Sequence, residues 1–219
     1  MLYNKFMNKF VIFDLDGTLI NTLTGLTACV NLTFKKLGIK YVYDKAVVKT
    51  FIGNGAKILF KRALKPFKEF KETDYDLFLK CYEETQYVSE VYPEVEETLE
   101  LLQKKGYWLG ILSNKPDEIL QKLIKIKLNK INFIVIQGQD NKYPCKPDPK
   151  LINEKIIDKY SLNREDGFYV GDSYVDGELA KNANLCSILV TYGYGDMKAI
   201  LNTKPNYLID NFGEILKIV

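Results

Sequence analysis

Two carboxylates directly after an apolar segment are the first residues in this sequence that could do chemistry. The apolar run 10–13 breaks abruptly into Asp14, Leu15, Asp16 and Gly17. If this run is a β-strand, the two acidic side chains lean to the same side and repel each other unless a cation or a proton joins them. The pair therefore indicates a metal site, although Asp16-Gly17 by itself is also typical of a turn.

Polar side chains with catalytic potential recur at three later places, each in a loop after a segment predicted to be a strand. These places hold Ser113 with Asn114, Lys146, and Asp172 with Asp176. Parallel sheets bind ligands beyond the carboxyl ends of their strands, so groups in such loops can meet at one site. Taken singly, Lys146 is typical of solvated surface and Asp176 of a helix cap.

The composition narrows the chemistry further. The 219 residues suffice for one large domain or a domain with an insertion, and the formal charge of +3 forms no basic stripe, so we expect no nucleic-acid partner. The absence of histidine excludes a serine–histidine triad and imidazole metal ligands. The cysteines lack Cys-x-x-Cys spacing and are interpreted as reduced structural thiols: Cys29, Cys81, Cys145 and Cys186. Carboxylates therefore remain as the catalytic groups.

The N-terminal residues carry Lys5 and Lys9 but no apolar segment long enough for the core of a signal peptide, because Asp14 interrupts it. We therefore expect a cytoplasmic protein with no membrane partner. The sequence leaves the oligomeric state open between a monomer and a homodimer.

A long helical region is predicted after the first strand. Apolar residues from Leu23 to Leu37 recur three or four positions apart, and Gly38 suits the end of a helix. Further helices are predicted at 43–51, 56–64 and 74–88. Residues 21–90 are therefore expected to be all-helical.

Beyond this region, predicted strands alternate with helices. Short apolar strands are expected at 108–112, 133–137, 168–170 and 187–190, and short terminal elements at 207–209 and 214–218. This order predicts an α/β fold, with a core at 1–20 and 91–219 built on a parallel sheet. The core carries an inserted α-helical cap domain at 21–90, after the first strand.

The four polar places occur in the order and with the rough separations of the four motifs of the haloacid dehalogenase superfamily. The segment Asp14-Leu15-Asp16-Gly17-Thr18 resembles the first of these motifs, Asp-x-Asp-Gly-Thr. The resemblance implies a Rossmann-like parallel-sheet core, phosphoryl transfer, Mg²⁺ as the cofactor and a small-molecule phosphomonoester as the substrate.

The resemblance also implies roles for single residues. Asp14 corresponds to the nucleophile, which forms an aspartyl-phosphate, and Asp16 to the acid/base for the leaving group and the attacking water. Ser113 would hydrogen-bond a phosphate oxygen, helped by free backbone N–H groups around Asn114. Lys146 would offset the charge of the phosphate and of the clustered acids.

The metal site implied by the resemblance uses the same acids. Asp172 corresponds to a direct Mg²⁺ ligand, together with Asp14 and the backbone carbonyl of Asp16. Asp176 would orient metal-bound waters or Lys146. An alternative reading makes Asp16 a second metal ligand only.

A loop in the helical region could recognise the rest of the substrate. Gly53 and Gly55 flank Asn54, so the backbone can approach a ligand closely, and Arg62 follows on the next helix. By local pattern alone this is an ordinary turn between helices. Gly-Asn-Gly-Ala followed by Arg-Ala-Leu nevertheless resembles the cap loop of the phosphoglycolate phosphatases, which implies that the loop reads a substrate carboxylate.

The resemblance favours hydrolysis of 2-phosphoglycolate, with two departures. Asn21 stands where these enzymes usually have Asp, and Asp148 where many have His. The alternatives are another small-molecule phosphatase, acting on a sugar phosphate, a nucleotide or pyrophosphate, and a sugar-phosphate mutase of the same fold. A non-catalytic phosphate-binding regulator is a third alternative.

Overall fold

The computed structural model describes residues 9–219 of the chain. Its strands are β1 Phe10–Phe13, β2 Ile20–Asn21, β3 Glu90–Val91, β4 Trp108–Pro116, β5 Phe133–Gln139, β6 Gly167–Gly171, β7 Cys186–Val190 and β8 Tyr207–Ile209. Within the described residues, six of these strands form one parallel sheet in the order β5-β4-β1-β6-β7-β8. This sheet and its flanking helices confirm the predicted α/β fold.

The helices fall where the apolar periodicity predicted most of them. They are α1 Leu23–Lys36, α2 Lys45–Lys49, α3 Ala56–Leu64, α4 Glu72–Thr85, α5 Val95–Lys104, α6 Asp117–Lys127, α7 Lys150–Ile152, α8 Tyr174–Asn182 and α9 Met197–Asn202. Between residues 9 and 219, none of them has the length and apolar content needed to cross a membrane. The expectation about a signal peptide rests largely on residues 1–8, which lie outside the described residues.

The central strand of the sheet delivers the first acidic pair. β1 lies between β4 and β6, and all four of its residues are fully buried. An uninterrupted apolar run suits this position because helices cover both faces of such a sheet. The backbone N–H of Asp14 continues the ladder by donating to the carbonyl of Val170 at 2.8 Å. Asp14 therefore leaves β1 at the carboxyl edge of the sheet.

Residues 22–89, called the helical insert below, pack largely on one another. Phe34, Phe60 and Phe78 are fully buried there, and the rings of Phe60 and Phe78 stack 4.7 Å apart. The chain enters and leaves the insert through a short antiparallel pair, β2 with β3, which the sequence did not predict. The predicted boundaries at 20/21 and 90/91 fall within this pair, and the division into two domains stays a prediction.

β4 is longer than predicted and carries an irregularity. It runs to Pro116, and it pairs Leu112 with Gln137 and Pro116 with Gln139 of β5. Three residues of β4 therefore stand opposite one of β5, as in a bulge, and bulges re-aim side chains. The polar residues 113–115 consequently lie inside the strand, where the ladder is interrupted, rather than in the loop predicted after it.

Two helices also depart from prediction. α2 begins two residues after the predicted start at 43, because Asp44 caps it and accepts a hydrogen bond from the N–H of Val47 at 2.9 Å, and it ends at Lys49 instead of 51. α9 was not predicted. Its N-cap is Asp196, which accepts from the N–H of Ala199 at 2.8 Å, a signal that could have located it.

Candidate active site

A cavity of about 680 Å³ lies between the carboxyl edge of the sheet and the helical insert. Its lining includes these residues predicted for the site: Asp14, Asp16, Gly53, Asn54, Gly55, Arg62, Ser113, Asn114, Lys146 and Asp172. The remaining predicted residue, Asp176, is fully buried and contacts Lys146. The fold therefore brings side chains that are up to 158 positions apart in the sequence, from Asp14 to Asp172, to one cavity.

A buried lysine joins two of the acids on the core side. The Nζ of Lys146 lies 2.8 Å from Oδ1 of Asp14, in an ion-pair contact rather than an aligned hydrogen bond, and 2.7 Å from Oδ1 of Asp176. The hydroxyl of Tyr169 lies 3.2 Å from the same ammonium. Burial lowers the pKa of Lys146, but Asp14 and Asp176 raise it more, so its pKa lies well above the usual value. This lysine therefore stays charged in the folded protein.

Asp176 also starts a helix. Its Oδ2 accepts hydrogen bonds from the N–H of Ser173 at 3.0 Å and from the Ser173 hydroxyl at 2.6 Å, which forms a capping box at the start of α8. Protein donors thus occupy both of its carboxylate oxygens. The geometry gives Asp176 both roles weighed from the sequence, the helix cap and the partner of Lys146.

The loop that follows β7 holds the side chain of Asp172 in place. Its Oδ2 accepts a hydrogen bond from the N–H of Tyr194 at 2.6 Å. A Cβ atom added at Gly17 or Gly193 would lie 2.3 Å from an Asp172 side-chain atom, so neither position has room for a side chain. Burial first, then Asp176 and Asp14, raise the pKa of Asp172 well above its usual value.

The acids fit a divalent metal ion. Carboxylate oxygens of Asp14, Asp172 and Asp176 lie within 4.8 Å of one another, and all three residues are buried. Oxygen ligands suit Mg²⁺, which prefers a few carboxylates and retains waters. Both carboxylate oxygens of Asp14 and Oδ1 of Asp172 accept no hydrogen bond from residues 9–219, so each of these two residues can offer an oxygen to an ion. Burial also raises the pKa of Asp14, with Lys146 acting in the opposite direction. A dication would stabilise these carboxylates in their charged form.

Asp16 pairs with a lysine that the sequence analysis did not single out. The Nζ of Lys115 lies 3.1 Å from Oδ1 of Asp16. The same ammonium donates to the hydroxyl of Tyr82 and lies 4.2 Å from the centre of that ring. Lys115 follows Ser113-Asn114 directly in sequence, and its place beside that motif was the available signal.

Ser113 and Asn114 take different positions in the bulge of β4. The hydroxyl of Ser113 lines the cavity and accepts a hydrogen bond from the N–H of Lys115 at 3.3 Å. The side chain of Asn114 binds the backbone of Lys146 twice, accepting from its N–H at 2.8 Å and donating to its carbonyl at 3.3 Å. The Asn114 amide therefore fixes the position of Lys146, while its predicted contact with substrate stays a prediction.

The helical insert forms the other wall. Arg62 donates to the carbonyl of Phe51 at 3.0 Å and to Oδ1 of Asn54 at 2.8 Å, so its guanidinium braces the loop that holds Gly53 and Gly55. Asn54 reaches the core by donating to the hydroxyl of Tyr174 at 3.3 Å. Lys49, a further cation on this wall, donates to the carbonyl of Gly193 at 3.1 Å.

The two departures from the family pattern lie in different surroundings. Asn21 is at the entrance to the insert, where its Oδ1 accepts a hydrogen bond from the hydroxyl of Tyr194 at 2.9 Å. That hydroxyl also accepts from the N–H of Thr22 at 2.7 Å, so one tyrosine links the entrance to Asp172. Asp148 is exposed and accepts from the N–H of Lys150 at 2.8 Å.

Comparisons with known proteins identify the family of the chain. Residues 11–190 match the family model of the haloacid dehalogenase-like hydrolases. A phosphoglycolate phosphatase of Vibrio cholerae is 32% identical over 220 residues, which cover 96% of each chain. Phosphoglycolate phosphatase 1 of Pseudomonas aeruginosa is 33% identical over 216 residues, covering 95% of this chain and 78% of that one.

A solved structure is similar over nearly the whole length. The crystal structure of a predicted phosphoglycolate phosphatase from Haemophilus somnus aligns with a TM-score of 0.84 and 31% identity, covering 97% of this chain and 98% of that one. The family match spans well over half of the sequence, and the solved structure aligns with nearly the whole chain. The chain therefore belongs to the haloacid dehalogenase-like hydrolase family.

Proposed function

We propose that the protein is a Mg²⁺-dependent phosphomonoester hydrolase that acts through an aspartyl-phosphate on Asp14, with 2-phosphoglycolate as its substrate. One observation carries the proposal: Asp14, Asp16, Lys146 and Asp172 line the same cavity. Phosphoryl transfer depends largely on positioning the phosphate and neutralising its charge, and this set of groups supplies both.

Asp14 acts as the nucleophile. Lys146 contacts one of its oxygens, and the other is available to attack the phosphorus atom of the substrate. The bond between phosphorus and the leaving oxygen breaks as the bond to Asp14 forms, which gives an aspartyl-phosphate. Asp16, in its acid form, donates its proton to the departing alkoxide, which would otherwise be a poor leaving group.

The second step reverses the role of Asp16. Its carboxylate takes a proton from a water molecule as that water attacks the phosphorus atom of the aspartyl-phosphate. The bond between phosphorus and Asp14 breaks, so inorganic phosphate leaves and the Asp14 carboxylate is restored. Throughout, the Lys146 ammonium and the Ser113 hydroxyl bind phosphate oxygens.

Asp172 would hold Mg²⁺ through Oδ1, which accepts no hydrogen bond from the described residues, together with the Asp14 oxygen that does not attack phosphorus and the backbone carbonyl of Asp16. When bound, Mg²⁺ supplies positive charge that offsets the charge of the phosphate and of the surrounding acids. The raised pKa values of Asp14 and Asp172 support this assignment, because they reflect buried carboxylates with too little positive charge nearby.

The choice of 2-phosphoglycolate rests on the insert wall and on the relatives. Backbone N–H groups near Gly53 and Gly55, together with the side chains of Arg62 and Lys49, provide a positive surface that suits the carboxylate of a small substrate. Relatives that cover most of this chain are named phosphoglycolate phosphatases.

A phosphate-release assay tests the proposal. The purified protein is given a panel of small phosphomonoesters, including 2-phosphoglycolate, sugar phosphates and nucleotides, with Mg²⁺ and with a chelator. We expect Mg²⁺-dependent phosphate release, with the highest kcat/KM for 2-phosphoglycolate. Release from no ester in the presence of Mg²⁺ would contradict the phosphatase assignment, while a higher kcat/KM for another ester would contradict the substrate.

A further inference from the structure

A second buried lysine lies at the cavity, and it contacts a different acid from the first. The side chain of Lys115 is fully buried, and its Nζ lies 3.1 Å from Oδ1 of Asp16. Lys146, by comparison, contacts Asp14 and Asp176. A buried ammonium is costly unless it is paired and hydrogen-bonded, so the contacts of Lys115 are a strong constraint on its position.

The other partner of Lys115 comes from the helical insert. Tyr82 lies on α4 and is almost fully buried. Its hydroxyl accepts a hydrogen bond from Lys115, and the centre of its ring lies 4.2 Å from the ammonium. The ammonium therefore connects a core strand, a helix of the insert and the carboxyl group of Asp16.

Asp16 has little else to fix its orientation. Across residues 9–219, its carboxyl group accepts a hydrogen bond from Lys115 alone, at Oδ1, which leaves Oδ2 without a protein donor. Asp16 lines the cavity, so the second oxygen is available to a substrate or a water. Without Lys115, the carboxyl group could rotate about two side-chain bonds.

We propose that Lys115 is the positioning residue for Asp16, and that Tyr82 holds Lys115 in place from the helical insert. Lys115 fixes one oxygen of Asp16, so the other is directed at the leaving group and at the attacking water. The proposal rests on the acid/base role proposed for Asp16. It also makes that role depend on the contact between the insert and β4.

The choice of leaving group separates positioning from general structural support. An alkoxide needs a proton as it departs, whereas the p-nitrophenolate ion is stable and needs little acid assistance. A misdirected Asp16 therefore slows the cleavage of an alkyl ester much more than the formation of nitrophenolate. A disordered site slows both alike.

The test compares Lys115→Met and Tyr82→Phe with a matched control, Lys122→Met. Lys122 lies on α6 and also contacts α4, since its Nζ lies 2.6 Å from Oε1 of Glu83. Its side chain is exposed, and its ion pair is with Glu83 rather than with Asp16. Pre-steady-state rates of leaving-group release are measured on the best alkyl ester of the wild type and on p-nitrophenyl phosphate. Thermal unfolding and circular dichroism check the fold of each variant.

We expect Lys115→Met to slow release from the alkyl ester by about 10²-fold, the cost of a misplaced catalytic group, and to slow release from the aryl ester far less. Tyr82→Phe should also slow release from the alkyl ester more than release from the aryl ester, but by a smaller factor than Lys115→Met. Lys122→Met should leave both rates unchanged. Tyr82→Phe keeps the ring, so it decides the question if Lys115→Met does not fold.

Equal fractional losses on both esters, or no loss in either variant, would overturn the positioning role. These outcomes differ from failure of the proposed function, in which the wild-type protein itself releases no phosphate.

Discussion

Asp14 and Lys146 on the core wall of the cavity, and Asp176 next to Lys146, are buried and joined by contacts of 2.8 and 2.7 Å. On the insert wall, the exposed Arg62 and the half-buried Asn54 are joined by a hydrogen bond of 2.8 Å. Removing one member of a buried charged cluster leaves its partners uncompensated, whereas water replaces the lost partner at an exposed pair. We therefore expect substitutions on the core wall to affect catalysis and stability strongly, and substitutions on the insert wall to affect substrate selectivity with a smaller loss of stability.

The largest expected effect on the core wall comes from Asp14→Asn. The amide has nearly the shape of the carboxylate but cannot act as an anionic nucleophile, so we expect kcat to fall by about 10⁴-fold or more, as when other enzymes lose their nucleophile. The measurement is phosphate release at saturating substrate and Mg²⁺. The control is Asp148→Asn, an exposed acid, which should retain wild-type activity. Normal turnover by Asp14→Asn would contradict the account of the core wall.

Removal of metal should have the next largest effect. Without a dication, the phosphate would meet several buried carboxylates balanced mainly by Lys146, so we expect a chelator to abolish phosphate release and Mg²⁺ to restore it. The Asp172→Asn variant should reach half-maximal activity at an Mg²⁺ concentration at least about tenfold higher than the wild type needs. Activity that survives exhaustive metal removal, or an unchanged Mg²⁺ requirement in the variant, would count against the role of Asp172.

Lys146→Met tests whether the core cluster also stabilises the fold. It leaves Asp14 and Asp176 buried without their ammonium partner, so we expect the free energy of unfolding to fall by about 3–5 kcal/mol. Urea unfolding in the presence of a chelator measures this difference. Lys150→Met, which removes an exposed lysine paired with Glu154 at 3.9 Å, should change it by no more than about 0.5 kcal/mol. Equal stability of the two variants would remove the contrast between buried and exposed pairs.

The smallest effect is expected on the insert wall. Arg62→Met removes charged hydrogen bonds to Asn54 and Phe51, so we expect KM for 2-phosphoglycolate to rise about tenfold. KM for p-nitrophenyl phosphate should rise less, because its leaving group has no carboxylate. Lys57→Met, on the same helix but paired outward with Glu72, should leave both values unchanged. Equal losses on both substrates would mean that Arg62 supports the fold of the insert rather than selectivity.

The sheet and the groups of polar residues at its edge were predictable because each is indicated by a short, continuous stretch of the sequence. The run 10–13 is apolar without interruption, so it predicts a buried strand, and Asp14 follows it directly. Lys146 and Asp172 likewise follow predicted strands, and parallel strands place such positions at one edge. The family match and the parallel sheet confirm the predicted fold.

The side-chain partners were not predictable, because they depend on how the insert packs against the core. Tyr82 lies 33 positions before Lys115 on an amphipathic helix, where an aromatic residue indicates only a core position. Tyr194 lies 173 positions after Asn21, and their contact requires both the β2–β3 entrance and the loop after β7. The bulge in β4 likewise depends on pairing with β5, which residues 113–115 alone do not reveal.

The most direct test of the central claim is to trap the phosphoenzyme with Asp16→Asn. An asparagine cannot take a proton from water, whereas p-nitrophenyl phosphate needs little acid to phosphorylate Asp14. We predict a burst of nitrophenolate of about one equivalent per active site, slow steady turnover, and a phosphoryl group on Asp14 detected by mass spectrometry of the quenched protein. If no burst occurs and Asp14 carries no phosphoryl group, while Asp16→Asn loses the same fraction of activity on alkyl and aryl esters, the acid/base and nucleophile assignments are contradicted.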